Sequence, residues 1–429
     1  MPRLRSKPHA VTPLDLVPTP LDGGEDGGRY PEYFPHPYEA ELQEFKPEPW
    51  QLEVPKEADL VVPQYIDTEA DLRAMLQDLT GCREVAIDLE HHSYRTFQGI
   101  LCLMQLSTRS ADYIIDAIAL RRRLHLLAPL LADPRVLKVL HGADSDVLWL
   151  QRDAGAYVVN MFDTGRAART LDLPSRGLAY ALKEFCGFEA DKKHQLGDWR
   201  VRPLPPAMLK YAQADTHYLL HVYDRLRAML GTPEAIAQVL ESSRELCLQR
   251  YEKEAFDPEG WRRVLQRIGG EGAGALDSAQ QARMAALWDW RDALAREEDE
   301  SPGYVMSAYL MLRLARAAPA SHDALVRCAA PLPPLVQQRS DEVIALLAAA
   351  AAPAPSPDSV TPGRVGAQRR RGGGSYGRQF SVTPGASVAT EGAAPMDVVG
   401  GGDGDGEKVS YCMWSMCRGG FALLVAWMV

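Results

Sequence analysis

Asp88 and Glu90 stand two positions apart in the run Val85-Ala86-Ile87-Asp88-Leu89-Glu90, which is otherwise apolar enough for a buried strand. Alternate residues of a strand point to one face, so the two carboxylates project together. Burying paired like charges is costly unless a cation or a proton shares the site. The pair is therefore either the solvated acidic face of an edge strand or part of a divalent-metal site. Further on, VLKVLHGADSDVLWLQRD reads as a strand ending at His141, a tight exit at Gly142 and a helix beginning near Asp144, with Asp144 as its cap. Asp146 falls in the first turn and can reach across the carboxyl edge of a sheet, where α/β folds place ligands. Tyr211 and Asp215 are four apart in a helix-like run, on one face and about a turn apart. Alone, such a pair also describes a core tyrosine beside a surface aspartate.

Their order and number match one chemistry. Two-metal phosphodiester hydrolysis sets two Mg²⁺ ions about 3.5–4 Å apart, stabilising the attacking and leaving oxygens together. Magnesium takes hard oxygen ligands and keeps waters, so a few carboxylates and a substrate phosphate complete both shells. A tyrosine hydroxyl at the same edge can orient the attacking water. His91 and His92 follow Glu90, but imidazole suits an acidic magnesium site poorly, which leaves contact with a nucleic-acid strand or plain loop structure. In the polar loop before Tyr211, Arg200 and Arg202 are candidate phosphate contacts, and Trp199 is either a base-stacking platform or a packing anchor.

The elements that must position these residues alternate. Strand-like runs fall at 85–90, 100–107, 112–116, 136–141 and 157–163, and helix-like runs at 144–154, 177–185 and 205–230. Such alternation marks an α/β sheet domain over 61–230. Residues 1–60, rich in Pro, Gly and acidic side chains, read as an extended N-terminal segment. A linker is expected over 231–275, since the stretch GGEGAG (269–274) marks a boundary, and 276–352 carry helical periodicity with no credible strand. The remainder, 353–429, is dominated by Pro, Ser, Gly and Ala and is expected to be a disordered tail.

A net charge of −10 argues against coating nucleic acid through bulk charge. It leaves room for an enzyme that grips a strand through cations held between carboxylate and phosphate. Seven scattered cysteines without a CxxC pair point away from a disulfide framework or a structural zinc site. The N-terminus has no signal-peptide core. The C-terminal run GFALLVAWMV holds about half of the ~20 apolar residues of a membrane span, so no membrane partner is expected.

The series Asp88-x-Glu90, Asp146 and Tyr211-xxx-Asp215 resembles the three motifs of the DEDD-Y exonuclease superfamily. HGADSDVLWLQRDAGAYVVNMFDT, KKHQLGDWRVRPLP and YAQADTHYLL resemble the nuclear-exosome-associated exoribonucleases, the PM/Scl autoantigen family, more than bacterial RNase D. Residues 282–315 resemble that family's HRDC domain, and the likeness covers roughly residues 35 to 350. It implies a ribonuclease-H-like domain, a mixed sheet flanked by helices, followed by an all-α HRDC domain. It implies removal of 5′-mononucleotides from RNA 3′ ends, in rRNA maturation and RNA surveillance with the exosome core, in the nucleus and nucleolus. It assigns Asp88, Glu90 and Asp215 to two divalent metals (Mg²⁺, or Mn²⁺ in its place), Asp146 to the second metal through water, and Tyr211 to the nucleophilic water. Against the family pattern, the N-terminal partner-binding domain is expected to be absent, and SYCMWSMCRGGFALLVAWMV has no counterpart. A DNA 3′→5′ exonuclease and a catalytically inactive RNA-binding scaffold are the rival readings.

Overall fold

A computed structural model describes residues 7–9, 19–20, 32–33, 36–44, 62–190, 192–269 and 276–350. All lie in one unit spanning Met1–Pro355. The expected disordered tail and most of the N-terminal segment fall outside the described residues. A short ladder pairs β1 (Thr19–Pro20) with β2 (Glu32–Tyr33). The main sheet contains β3 (Gln64–Ile66), β4 (Glu84–His92), β5 (Ile100–Ser107), β6 (Asp112–Asp116), β7 (Leu137–Leu140) and β8 (Met161–Asp163). The order is β3-β6-β5-β4-β7-β8, with β5 antiparallel to both neighbours and every other pairing parallel. This is the mixed, helix-flanked sheet expected.

Several elements differ from the expectation. β3 is an added edge strand. The expected strand over 157–163 is extended in the sheet only from Met161, because Asn160 turns the chain with φ 62°. The long expected helix is two, Pro206–His217 and Leu219–Leu230, parted at Tyr218.

Period-two alternation sends Val85, Ile87 and Leu89 of β4 into the main apolar cluster, with Met104, Leu106 and Ile115. Ala86 packs on the opposite face with Val139, Phe162, Leu219 and Tyr223. Leu103, Ile114, Met208 and Ala212 continue that second face, so the Pro206–His217 helix lies over β5 and β6. Asp88 and Glu90 share the face of Ala86 and point beneath this helix. In the N-terminal segment, Tyr38 and Leu42 are buried in the main cluster, the Glu39–Glu44 helix carries Leu42, and Lys7 pairs with Glu41 at 2.8 Å.

The stretch 231–275 is not a plain linker. Its Pro233–Cys247 helix buries Val239, Leu246 and Cys247 in the nuclease clusters. The Ser243 hydroxyl there accepts from the Asp163 backbone N–H at 3.0 Å. Further on, Trp261, in the Gly260–Gly269 helix, packs into the helical module with Met284, Leu287, Met311 and Leu314. Amphipathic faces on both helices explain the split: each end of the segment has a core to enter. The module itself runs through helices from Ser278–Glu297, opened by a reciprocal Asp277/Gln280 capping box, to Ser340–Ala349. The β4–β5 loop joins module to sheet. Arg95 grips Glu300, the Asp299 carboxylate accepts from the Phe97 N–H at 3.1 Å, and the Ser301 hydroxyl donates to the Tyr94 carbonyl at 2.8 Å. No described helix is long and apolar enough to cross a membrane. The described cysteines, Cys82, Cys102, Cys186, Cys247 and Cys328, are all free thiols.

Candidate active site

Asp88 lies opposite Gln105 in the β4–β5 ladder and Glu90 opposite Leu103, after which a register shift between Glu90 and His91 ends regular pairing. A shift of this kind bends the strand where the second carboxylate leaves the sheet. Helical spacing brings Asp215 down from the covering Pro206–His217 helix. Carboxylate oxygens of Asp88, Glu90 and Asp215 lie within 4.8 Å of one another.

Asp146 comes from a third element, the exit of β7. It starts the Asp146–Trp149 helix, and Ser145 rather than Asp144 occupies the cap position. Asp144 instead pairs with Arg166 at 2.7 Å, so the expected capping role is corrected. That exit loop is clamped from the end of β8. The Asp163 carboxylate accepts from the Ala143 N–H at 2.8 Å, the Thr164 hydroxyl donates to the Leu140 carbonyl at 3.0 Å, and His141 Nδ1 lies 2.9 Å from Thr164 Oγ1. Beyond Trp149 the helix widens into a π turn, Leu150–Ala154, a departure frequent at functional sites.

No lysine or arginine among the described residues forms an ion pair with Asp88, Glu90, Asp146 or Asp215; the ion pairs fall elsewhere. Burial pushes the Asp88 carboxyl up to about 7. Glu90 rises to about 10 through burial and then the charges of Asp88, Asp215 and Asp146. Burial, followed by the Asp88 charge, raises both Asp146 and Asp215 well above the carboxylate range. Tyr211, with its hydroxyl toward Asp215, is raised by burial and then by Asp215, Glu90 and Asp88. Hard oxygen donors crowded without a counter-charge are what a divalent cation fits.

The proposed strand contacts fare differently. Trp199 is 1% exposed, packed with Leu103, Ile114 and Met208 beneath the Tyr211 ring. It is a packing anchor, and base stacking is ruled out by its burial. Arg202 spends its guanidinium on Asp116 and on the carbonyls of Cys102, Trp199 and Val201, so the phosphate role is corrected as well. Arg200 remains partly exposed but pairs with Asp198 at 2.7 Å. The His91 ring stacks on Trp149, centroids 4.2 Å apart and nearly parallel, and its Nε2 accepts from Arg152 at 3.0 Å. Burial and then Arg152 hold His91 down to about 3, so it is neutral. Trp149 is itself packed against the main apolar cluster.

Residues 63–231 match the family described as 3′-5′ exonuclease, and residues 280–347 match the HRDC domain. The chain is 42% identical over 351 residues to "Exosome complex component 10 homolog" of Drosophila melanogaster, covering 79% of this chain and 38% of that protein. It is 40% identical over 333 residues to "Exosome complex exonuclease RRP6" of Saccharomyces cerevisiae, covering 73% of this chain and 44% of that protein. The chain thus spans less than half the length of these relatives. The solved catalytic core of RRP6 from Trypanosoma brucei is 37% identical with a TM-score of 0.69, over 80% of this chain and 96% of that one.

Proposed function

This chain belongs to the family of RRP6 and exosome component 10, and on that premise we propose that it is a 3′→5′ exoribonuclease releasing 5′-mononucleotides. The observation that carries the reading is the cluster of Asp88, Glu90 and Asp215, with Asp146 beside it and, among the described residues, no ion pair from a lysine or arginine to any of them. Asp88, Glu90 and Asp215 would hold divalent cations, and Asp146 would reach the second through water. Two Mg²⁺ ions, or Mn²⁺ in their place, would supply Lewis acidity to both the attacking and the leaving oxygen.

The chain's own groups do the rest. Tyr211 is neutral in the cation-free protein, so its hydroxyl orients the attacking water by hydrogen bonding. Partnership with the exosome core belongs to the same proposal, supported by the names of the relatives; roles in rRNA maturation and RNA surveillance and a nuclear and nucleolar location are proposed with it on the sequence resemblance alone.

The test incubates purified protein with 5′-labelled and 3′-labelled RNA and DNA strands, in Mg²⁺ or in EDTA. Stepwise shortening of RNA from its 3′ end, with nucleoside 5′-monophosphates released and EDTA stopping the reaction, is the expected result. Internal cleavage, or activity that survives EDTA, sinks the reading. Preference for DNA would favour a DNA exonuclease, and binding without cleavage an inactive scaffold.

A further inference from the structure

β5 is buried along almost its whole length, and one of its residues is out of character. Gln105 interrupts Ile100-Leu101-Cys102-Leu103-Met104-Gln105-Leu106-Ser107 with a carboxamide that is 0% exposed. Neither its Nε2 nor its Oε1 meets a partner in full hydrogen-bond geometry, and its one polar influence is a weak hydrogen-bonding pull on Glu90. Its same-face neighbours show how the position is otherwise used. Leu103 packs into the apolar cluster under the covering helix, and the Ser107 hydroxyl bonds Thr216 Oγ1 at 2.8 Å. A buried amide left unpaired opposes folding, and an apolar side chain of the same size would avoid that cost.

The ladder shows what the amide faces. Gln105 is directly opposite Asp88, and Glu90 is its diagonal neighbour on the same face. The amide is near enough to Glu90 to oppose, weakly, the upward push that burial and the other acids exert on that carboxyl. Full burial keeps it from touching an RNA strand.

Building on the metal-site reading above, we propose that Gln105 is a positioning residue, whose side-chain N–H donates to the Glu90 carboxylate when a divalent cation is bound and so fixes which carboxylate oxygen faces the cation. Groups that orient ligands from behind in this way commonly change metal affinity about 10–100-fold when removed. The unpaired amide of the cation-free protein is then the partner that the loaded site uses.

The experiment compares the full chain with Gln105→Met, which keeps the volume and removes the amide, and Gln105→Asn, which keeps the amide but draws it back. Four quantities are read: the melting temperature without cations, the Mn²⁺ Kd by electron paramagnetic resonance, and kcat and KM on a short RNA. Gln105→Met should melt at or above the parent without cations, bind Mn²⁺ about 10-fold more weakly, and lose kcat with KM for RNA unchanged. Gln105→Asn should fall between the two in Mn²⁺ affinity. Equal Mn²⁺ affinity in parent and Gln105→Met would overturn the inference. So would a cation-free Gln105→Met that melts well below the parent, since the amide would then have a structural partner. Should the parent itself bind no more Mn²⁺ than Asp88→Asn does, the metal-site reading fails first and this inference with it.

Discussion

Arg202 holds Asp116 through two hydrogen bonds, 2.5 Å from Nε to Oδ2 and 2.9 Å from Nη2 to Oδ1. The pair ties the loop before the Tyr211 helix to the end of β6, and the Tyr65 hydroxyl from edge strand β3 adds a third bond to Asp116 at 2.7 Å. Arg202 also caps three backbone carbonyls, so its donors face inward and build the wall behind Trp199 and Tyr211.

Replacing Arg202 should therefore act on folding more than on RNA. Arg202→Ala leaves the mostly buried Asp116 carboxylate without its counter-charge and should cost roughly 2–4 kcal/mol. Denaturant unfolding measures that loss. The slope of RNA affinity against salt should stay as in the parent, because no phosphate contact is removed. A clearly shallower slope would return Arg202 to the strand-binding surface.

The clamp on the β7 exit makes a second prediction. Asp163→Ala deprives the Ala143 and Arg166 N–H groups of their acceptor and loosens the loop that delivers Asp146. Stability should fall by about 1–3 kcal/mol, and single-turnover RNA hydrolysis at low temperature, where the variant is folded, should slow at least about 10-fold. Asp144→Ala, which removes a partly exposed ion pair, should affect neither much. Parent-like hydrolysis by Asp163→Ala would show that Asp146 needs no clamp.

The raised acids imply a pH dependence with a definite sign. Asp88 at about 7 and Glu90 at about 10 bind protons in the folded, cation-free protein more tightly than in the unfolded chain. Their contribution to stability is full below the unfolded values near 4 and is lost as pH rises through about 7 for Asp88 and about 10 for Glu90. Cation binding must displace those protons. Mg²⁺ should accordingly raise the melting temperature more at about pH 8.5 than at about pH 6, with protons released on binding. A Mg²⁺ effect independent of pH would argue that the acids are already ionised without it.

Tyr211 and Asp215 are one helical turn apart and should fail differently. Asp215→Asn removes a charge from the cluster, so metal binding and turnover should fall together. Tyr211→Phe leaves every carboxylate in place, and RNA and Mg²⁺ should still bind while the chemical step slows on the order of 10²–10⁴-fold. A single-turnover decay beside a binding titration separates the two. Hydrolysis by Tyr211→Phe at the parent rate would leave Tyr211 as a packing residue.

Trp261 tests the revised boundary of the helical module. It is 2% exposed within that module's core, although it precedes residue 276. Trp261→Ala should destabilise the module by about 3–5 kcal/mol, seen as a separate, earlier thermal transition or as increased proteolysis within 278–350. An unchanged melting profile would restore the segment to a linker.

The carboxylates were legible because their geometry is local. A two-residue spacing in a strand and a four-residue spacing in a helix set the facing of Asp88 with Glu90 and of Tyr211 with Asp215 before any tertiary contact forms. The helical periodicity after residue 276 was readable on the same basis. Tertiary structure alone decided which polar side chains in the loop are free. Arg202 is committed by Asp116, 86 residues away, and Trp199 is sealed by β5, β6 and the Tyr211 helix. Gln105 likewise looks like one polar residue in an apolar run until the ladder sets it opposite Asp88. Nothing in the spacing of a loop encodes such partners, because they arrive from distant parts of the chain, and whether a guanidinium or an indole meets water or another side chain depends on that arrival.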